Sequence, residues 1–511
     1  MATRKQAAKK PVANRRSPAG AGVGRVRVRM YRQGLGDCFL LSFGTGGSKR
    51  HVLIDCGTLG ATTTGVKLSE VVDDIVAETG GKLDLLIATH EHHDHVSGFN
   101  SQKPKFDRLQ VKRVWMAWTE DPADKLAQKI ARTKQDLGAA LAAAMPALRA
   151  AAPGSGAALA GDVVSGMLGW FGTDEALGAD KFRETVDAAM DYVRTKAGAE
   201  VEFLKPGEVR EESWLPGFRV YVLGPPRSEQ ALQDTGEQGS ADLYSLAIGL
   251  RSAAEFSQVS EPYASYAMGD GGHAARSRFD SQLPFDPRHR CELNDSVARD
   301  RLLRSYEAKD VQWRRIDGDW LDSASDLALQ LDSLTNNTSL ALAIERVSDG
   351  KVLLFPADAQ QGSWRSWHGA SMEWKTSDLL ERTVFYKVGH HGSHNATASA
   401  KGLELMKARQ ELVAFVPVDR AVALTRNPQG SWRMPARALY RRLLEQCEGR
   451  VLRSDIGWAA DAAKAASKQT EKEFAALASP AEWKTWAAEQ ARAEKSMGVE
   501  VAEKWVDWVL G

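Results

Sequence analysis

Hydrophobic and polar positions along the chain fall first into strand-like runs. Residues 26–31 (VRVRMY) alternate with period two, a glycine-rich turn (QGLGD) leads into CFLLSF, and HVLIDCG follows a second such turn. Period two bounded by turn residues predicts short strands of a sheet packed on one face. Residues 67–79 (KLSEVVDDIVAET) switch to helical spacing, and Gly80-Gly81 predicts the stop. The apolar run LDLLIAT then predicts a buried strand that leads straight into HEHHDH, and VKRVWMAW (111–118) adds another strand.

Beyond residue 118 the pattern loosens. Residues 122–200 are Ala-rich with helical period, split by a Pro/Gly/Ser segment near 153–156, and a strand returns at FRVYVLGPP (218–226). Residues 227–330 are polar and irregular. Strand patterns resume in SLALAIER (339–346), KVLLFPAD (351–358), RTVFYKVGHHGSHN (382–395), LVAFVPV (412–418) and RVLRSD, with a helix expected from Pro435 to Cys447. These shifts divide the chain into a basic tail (1–25), a core in three pieces (26–118, 218–226 and 334–457), a helical insertion (119–217), a second insertion (227–333) and a helical C-terminal extension (458–511). In that extension Trp483, Trp486, Trp505 and Trp508 are available for docking to a protein partner or for self-association.

At 511 residues the chain is too long for one ordinary domain and suits a core carrying insertions. Hydrophobic residues at 43% and charged residues at 26% argue against wholesale disorder. The net charge of +1 gives no overall basic field, so any nucleic-acid binding needs a local patch. Residues 1–25 hold seven Lys/Arg and no acid, which reads as a solvated, disordered tail. Four scattered cysteines (Cys38, Cys56, Cys291, Cys447) without CxxC spacing point away from a disulfide framework and toward a reducing, cytoplasmic location. No apolar run reaches the roughly 18 residues of a transmembrane helix, and no apolar segment follows the basic N-terminus as in a signal peptide.

Seven of the 11 histidines lie in two short segments, His90, His92, His93, His95 and His390, His391, His394. Three at fixed offsets would arise by chance on the order of once in 10⁵ starting points, so they call for a chemical explanation. Both groups follow apolar strand runs, where a rigid sheet can hold imidazoles at its rim. In His-x-His-x-Asp-His, His90 and His92 can face one ion while Asp94 and His95 point to a second. Asp358, ending KVLLFPAD, is the candidate carboxylate between them. Imidazole and carboxylate donors suit Zn²⁺ first and Mn²⁺ or Fe²⁺ next.

THEHHDHVSG resembles the signature of the metallo-β-lactamase fold superfamily, and LIDCG resembles its first motif. The segments GLGDCFLL, VLGPP, NNTSL, VLLFPAD, KVGHHGS and RVLRSD with Gly457, in that order, resemble the soluble lactamase-like domain of ComEC-type competence proteins and their stand-alone relatives. That resemblance implies an α/β fold, an αββα sandwich, with two divalent ions at its rim. Residue by residue it implies His90, His92, Asp94, His95 and Asp358 as ligands, with either His390 or His391 as the last. His390 is the expected ligand because one residue separates it from the strand run VFYKV. Asp94, His391 and His394 then form the expected catalytic set, the two histidines donating to substrate oxygens or acting as general acid. Asp55 resembles the carboxylate that orients the first histidine loop from behind. The third motif departs from many superfamily hydrolases. Asn336, Asn337 and Ser339 stand where a further histidine ligand is usual, so one ion is expected to be held less tightly and Mn²⁺ becomes an option; Asn337 and Ser339 are expected to support the site from behind.

Two ions that activate a shared water and neutralise a phosphoryl oxygen suit an anionic diester. The leading expectation is a metal-dependent phosphodiesterase or nuclease acting on nucleic acid. Alternatives are a hydrolase of a small phosphoester, cyclic nucleotide, thioester or lactone, and a non-catalytic, metal-bound interaction module. Arginines of the second insertion (Arg276, Arg278, Arg288, Arg290, Arg314, Arg315) could form a basic groove, although acids are interleaved with them.

Overall fold

The computed structural model describes residues 24–149, 156–172, 184–196, 198–234, 319–369, 372–426, 433–464 and 471–511. Residues 1–23 of the basic N-terminal tail and the arginines named above lie outside these residues.

Two eight-stranded sheets face one another. The first runs β17 (Glu500–Val501), β18 (Trp505–Leu510), β1 (Val26–Tyr31), β2 (Phe39–Phe43), β3 (Arg50–Ile54), β5 (Leu85–Ala88), β7 (Arg113–Ala117), β8 (Glu200–Leu204). The second runs β16 (Gly457–Trp458), β15 (Val451–Arg453), β14 (Val413–Val416), β13 (Thr383–Lys387), β12 (Val352–Phe355), β11 (Ala341–Arg346), β10 (Phe218–Gly224), β9 (Val209–Arg210). A small parallel pair, β4 (Lys82–Leu83) with β6 (Gln110–Val111), stands apart. Both large sheets are mixed. β3, β5, β7 and β8 run parallel in the first, and β12 to β15 run parallel in the second.

Parallel strands buried on both faces explain the unbroken apolar runs LLIA and VAFV. Phe39, Leu41, Ile54, Leu85 and Ile87 meet Leu342, Ile344, Leu353, Phe355 and Phe415 between the sheets. Their neighbours Leu40, Leu53, Leu86 and Ala88 turn outward under the helices Leu68–Thr79, His93–Ser101 and Glu184–Arg194. Leu354, Tyr386, Ala414 and Val416 turn the other way, into the cluster that holds Tyr440, Leu443 and Leu444 of the helix Arg437–Gln446. The architecture is therefore the αββα sandwich of the metallo-β-lactamase fold. Each fully buried Leu, Ile or Phe contributes about 1.5–3 kcal/mol.

Two expectations shift. The first insertion is helical at Lys125–Arg149, Gly156–Gly169 and Glu184–Arg194, but Glu200–Leu204 pairs with β7, so the core resumes before residue 218. The C-terminal extension is helical at Pro480–Ser496, whereas WVDWVL forms β18 and pairs antiparallel with β1. Its alternation sends Val506 and Trp508 into the core between the sheets. Asp507 turns outward and receives both the Nε and an Nη of Arg29 at 2.8 Å, and the Arg29 guanidinium lies 3.9 Å over Trp505. Trp486 is buried and Trp483 donates to the Ala475 carbonyl at 3.0 Å. No described helix is long and apolar enough to cross a membrane. Cys38, Cys56 and Cys447 are buried free thiols.

Candidate metal centre

Five non-glycine residues among those described have positive φ, and four of them (Asp55, Ala357, His390, His391) lie where strands of the two sheets end at one rim. Such backbone costs about 1–3 kcal/mol per residue and persists only where surroundings enforce it. The enforcement is visible. A Cβ on Gly57 would come within 2.3 Å of the Asp94 backbone, and one on Gly36 within 2.5 Å of the Asp94 carbonyl. These two turns therefore press directly against the start of the helix His93–Ser101, which carries Asp94 and His95 on its first turn.

Asp55, just past β3, accepts from the Thr89 backbone N–H at 2.8 Å and from Thr89 Oγ1 at 2.6 Å. Its Oδ2 also lies 2.8 Å from His95 Nδ1, which leaves His95 Nε2 facing the centre. There His95 Nε2 stands 3.1 Å from Asp358 Oδ2 and 3.3 Å from Asp94 Oδ2. His391 Nε2 completes the group, 2.7 Å from Asp94 Oδ2, while its Nδ1 meets the Pro417 carbonyl at 2.6 Å. The donor atoms of Asp94, His95, Asp358 and His391 all fall within 4.8 Å of one another, a buried cluster that could hold a metal ion.

Asp358 is fixed from behind. Its Oδ1 accepts from the His390 backbone N–H at 2.9 Å and from Lys387 Nζ at 3.0 Å, and its own N–H donates to Ser339 Oγ at 3.2 Å. Lys387, itself buried, also reaches Asp37 Oδ2 at 2.6 Å. Asn337 sits one layer further out, accepting from the Gln360 backbone N–H at 3.1 Å and donating to the Leu232 carbonyl at 3.0 Å.

Beside this group lie His90, His92 and His390. His90 Nε2 stands 3.1 Å from His92 Nδ1, and His90 Nδ1 meets Thr89 Oγ1 at 3.1 Å. His92 Nε2 is 3.8 Å from Oδ1 of Asp332, a residue of the helix Asp319–Asn336. None of His90, His92, Asp94, His95, Asp358, His390 and His391 is more than 5% exposed. The turn after the helix Gly156–Gly169 roofs them: Trp170 stacks on the His391 ring at 5.7 Å and 11°, and Phe171 meets His92 edge-on at 4.9 Å. The Trp170 carbonyl accepts from the His93 backbone N–H at 2.7 Å.

Burial alone pushes the His95 imidazole down, but Asp358, Asp94, Asp37 and Asp55 together hold it well above its ordinary range. His391 is likewise raised against burial, chiefly by Asp94. Against the pull of burial, those imidazoles keep Asp94 far below the usual carboxylate range, and Lys387 and His95 do the same for Asp358. The other histidines go the opposite way. Burial drives His92 down to about 3 and His390 to about 4, and takes His90 well below its usual value. Asp332 is pushed up to about 8 by burial and by the charges of Asp358 and Asp94.

Residues 31–107 match the Metallo-beta-lactamase superfamily model. This metallo-beta-lactamase stretch covers Asp55 and the whole HEHHDH segment, while Asp358 and His391 reach the site from beyond it. No curated protein matches the chain.

The donor set fits divalent ions. Asp94 Oδ1, His92 Nε2 and His390 Nδ1 are buried without a hydrogen-bond partner, a cost a cation would relieve. The sequence points to His390 as the last ligand; in the structure the ring that joins the carboxylates is that of His391. Both residues turn left-handed (φ 41° and 53°), so counting from the strand end does not tell which ring points inward. His394 is exposed, with no hydrogen bond to the cluster among the described residues. Asp37, Thr89, Lys387, Asp332 and Trp170 were not singled out from sequence. A lysine ending the apolar run VFYK is the one available signal, since a buried cation needs an acidic partner.

Proposed function

We propose that this chain is a metal-dependent hydrolase of phosphodiesters with two divalent ions, Zn²⁺ first and Mn²⁺ as the alternative. The observation that carries the reading is the convergence of Asp94, His95, Asp358 and His391 beside the His90–His92 pair. Asp94, His95 and His391 would hold one ion, His90 Nε2 and His92 Nδ1 the other, and Asp358 Oδ2 would serve both. Ions there would lower the pKa of a shared water toward about 7 and draw charge from a phosphoryl oxygen.

The chain's own groups divide the remaining work. Lys387 and the His390 N–H occupy Asp358 Oδ1, so only Oδ2 is offered to the centre. His390, neutral at pH 7 with Nδ1 unpartnered, can donate an N–H to a substrate oxygen. Asp55 and the Pro417 carbonyl fix the ring orientation of His95 and His391.

Nucleic acid is the proposed substrate, supported by the ComEC-like order of motifs, and a reducing cytoplasm the proposed location. The aromatic roof favours a second reading, a small phosphoester that fits beneath Trp170. One panel tests both: Zn²⁺- or Mn²⁺-loaded protein against single- and double-stranded DNA, RNA, cyclic dinucleotides and bis-p-nitrophenyl phosphate. Phosphodiesterase activity that His92→Ala abolishes while the fold persists supports the reading. Unchanged turnover in that variant removes the metal centre from the chemistry.

A further inference from the structure

Every imidazole that faces the centre through one nitrogen must settle the proton on its other nitrogen. A ligating histidine does so by donating that N–H to a carboxylate, a carbonyl or a similar acceptor, which fixes ring and tautomer together. Three of the site's histidines have such an acceptor: Asp55 for His95, the Pro417 carbonyl for His391 and Thr89 Oγ1 for His90. His92 has none within hydrogen-bond distance.

With Nδ1 directed at His90 Nε2, His92 presents Nε2 outward, buried and without a hydrogen bond. The atom it meets is Asp332 Oδ1 at 3.8 Å, equally buried and equally without a hydrogen bond. The other oxygen of Asp332 is held by Asn336 Nδ2 at 3.0 Å, one helical turn later. Asp332 is therefore a carboxylate braced on one side and open toward His92 on the other. His92 is 1% exposed and Asp332 6%, so both atoms face one another inside the protein.

We infer that Asp332 is the positioning residue for His92: it accepts the Nε2–H and keeps Nδ1 free to bind the ion of the His90–His92 pair. This rests on the dinuclear reading above. Asp332 thereby serves the imidazole-rich half as Asp55 serves His95, from a helix that lies outside the HEHHDH segment.

The test is calorimetric titration of metal-free protein with Zn²⁺, together with its melting temperature, for wild type, Asp332→Asn, His92→Ala and the double variant. Asn keeps the shape and the Asn336 contact but puts an amide in place of the carboxyl, which cannot take the negative charge that an ion bound at His92 would favour. The expected result is two Zn²⁺ in wild type and, in Asp332→Asn, one of them bound about 10–100-fold more weakly with the other unchanged. Melting of the metal-free form should not fall, because no favourable ion pair is lost there. In the His92→Ala background the same substitution should add nothing, since the residue acts through that ring. Two Zn²⁺ at wild-type affinity in Asp332→Asn overturn the inference and leave the dinuclear reading standing. A lower metal-free melting temperature with both affinities reduced assigns Asp332 a purely structural role, which also overturns it. Fewer than two Zn²⁺ in wild type overturn the dinuclear reading itself, and this inference with it.

Discussion

His92 and His95 sit three residues apart, yet their surroundings drive them in opposite directions. Against burial, four carboxylates hold His95 well above its ordinary range, while burial among other imidazoles drives His92 to about 3. The centre thus has an acid-rich half (Asp94, His95, Asp358, His391) and an imidazole-rich half (His90, His92, His390). In the first, protons occupy places that ions would take. In the second, the nitrogens are already neutral and ready to ligate. Residue type does not set ionisation here; the count of nearby carboxylates does.

The sharpest way to break this division is to remove the residue common to both halves. Asp358→Ala should lose both ions by elemental analysis and cut turnover by about 10³-fold or more, since bound ions supply several kcal/mol to such reactions. Retention of both ions would mean that the halves are independent.

The next comparison separates the neighbouring histidines. His391→Ala should lose the ion of the acid-rich half together with activity. His390→Ala should keep both ions and lower kcat by about 10², the lower end of what proton-transfer help contributes. Metal analysis and kinetics on the same two preparations decide it, and the opposite pattern restores His390 as the ligand.

A pH series sharpens the contrast further. His95 and His391 have raised values, so below those values an ion entering their half must displace protons. Its affinity should rise about tenfold per pH unit for each proton released, below the values of those two groups. Affinity of the imidazole-rich half should fall less steeply as the pH drops, because burial takes His92 down to about 3 and His90 well below its usual value, so neither ring binds a competing proton there. Parallel slopes for the two ions, read by calorimetry across pH, would contradict the division.

The smallest expected effect belongs to the roof shared by both halves. Trp170→Ala should leave metal affinity within a few-fold of wild type, because the ring lies flat over His391 and not among the ligand atoms. It should raise kcat/KM for bis-p-nitrophenyl phosphate by a few-fold if access limits the reaction. Loss of metal from this variant would make Trp170 part of the centre's support.

Much of the fold was legible from local pattern. VRVRMY, LLIA, VLLF and VFYK appear as strands because period-two and fully apolar runs have few other ways to be buried. The helix Leu68–Thr79 stops at Gly80, whose φ of 59° suits a glycine. β18 was not legible as a strand, because its pairing with β1 joins residues nearly 480 positions apart. Helical spacing across the preceding segment gave no hint of that change.

The sequence by itself determined which chemistry is available: strand ends followed by HEHHDH, by PAD and by GHHGS put imidazoles and carboxylates at a sheet rim. That much follows because a strand fixes where its last residue emerges. Tertiary structure alone decided which of two adjacent histidines points inward, since both occupy left-handed turns whose direction depends on Gly392 and the loop bearing Pro417. It alone brought Lys387 between Asp37 and Asp358, and Asp332 to His92. It also laid Trp170 over His391. Those contacts join distant segments across two sheets and two insertions. Their energies depend on burial and on summed charge, and neither quantity exists until the chain has folded.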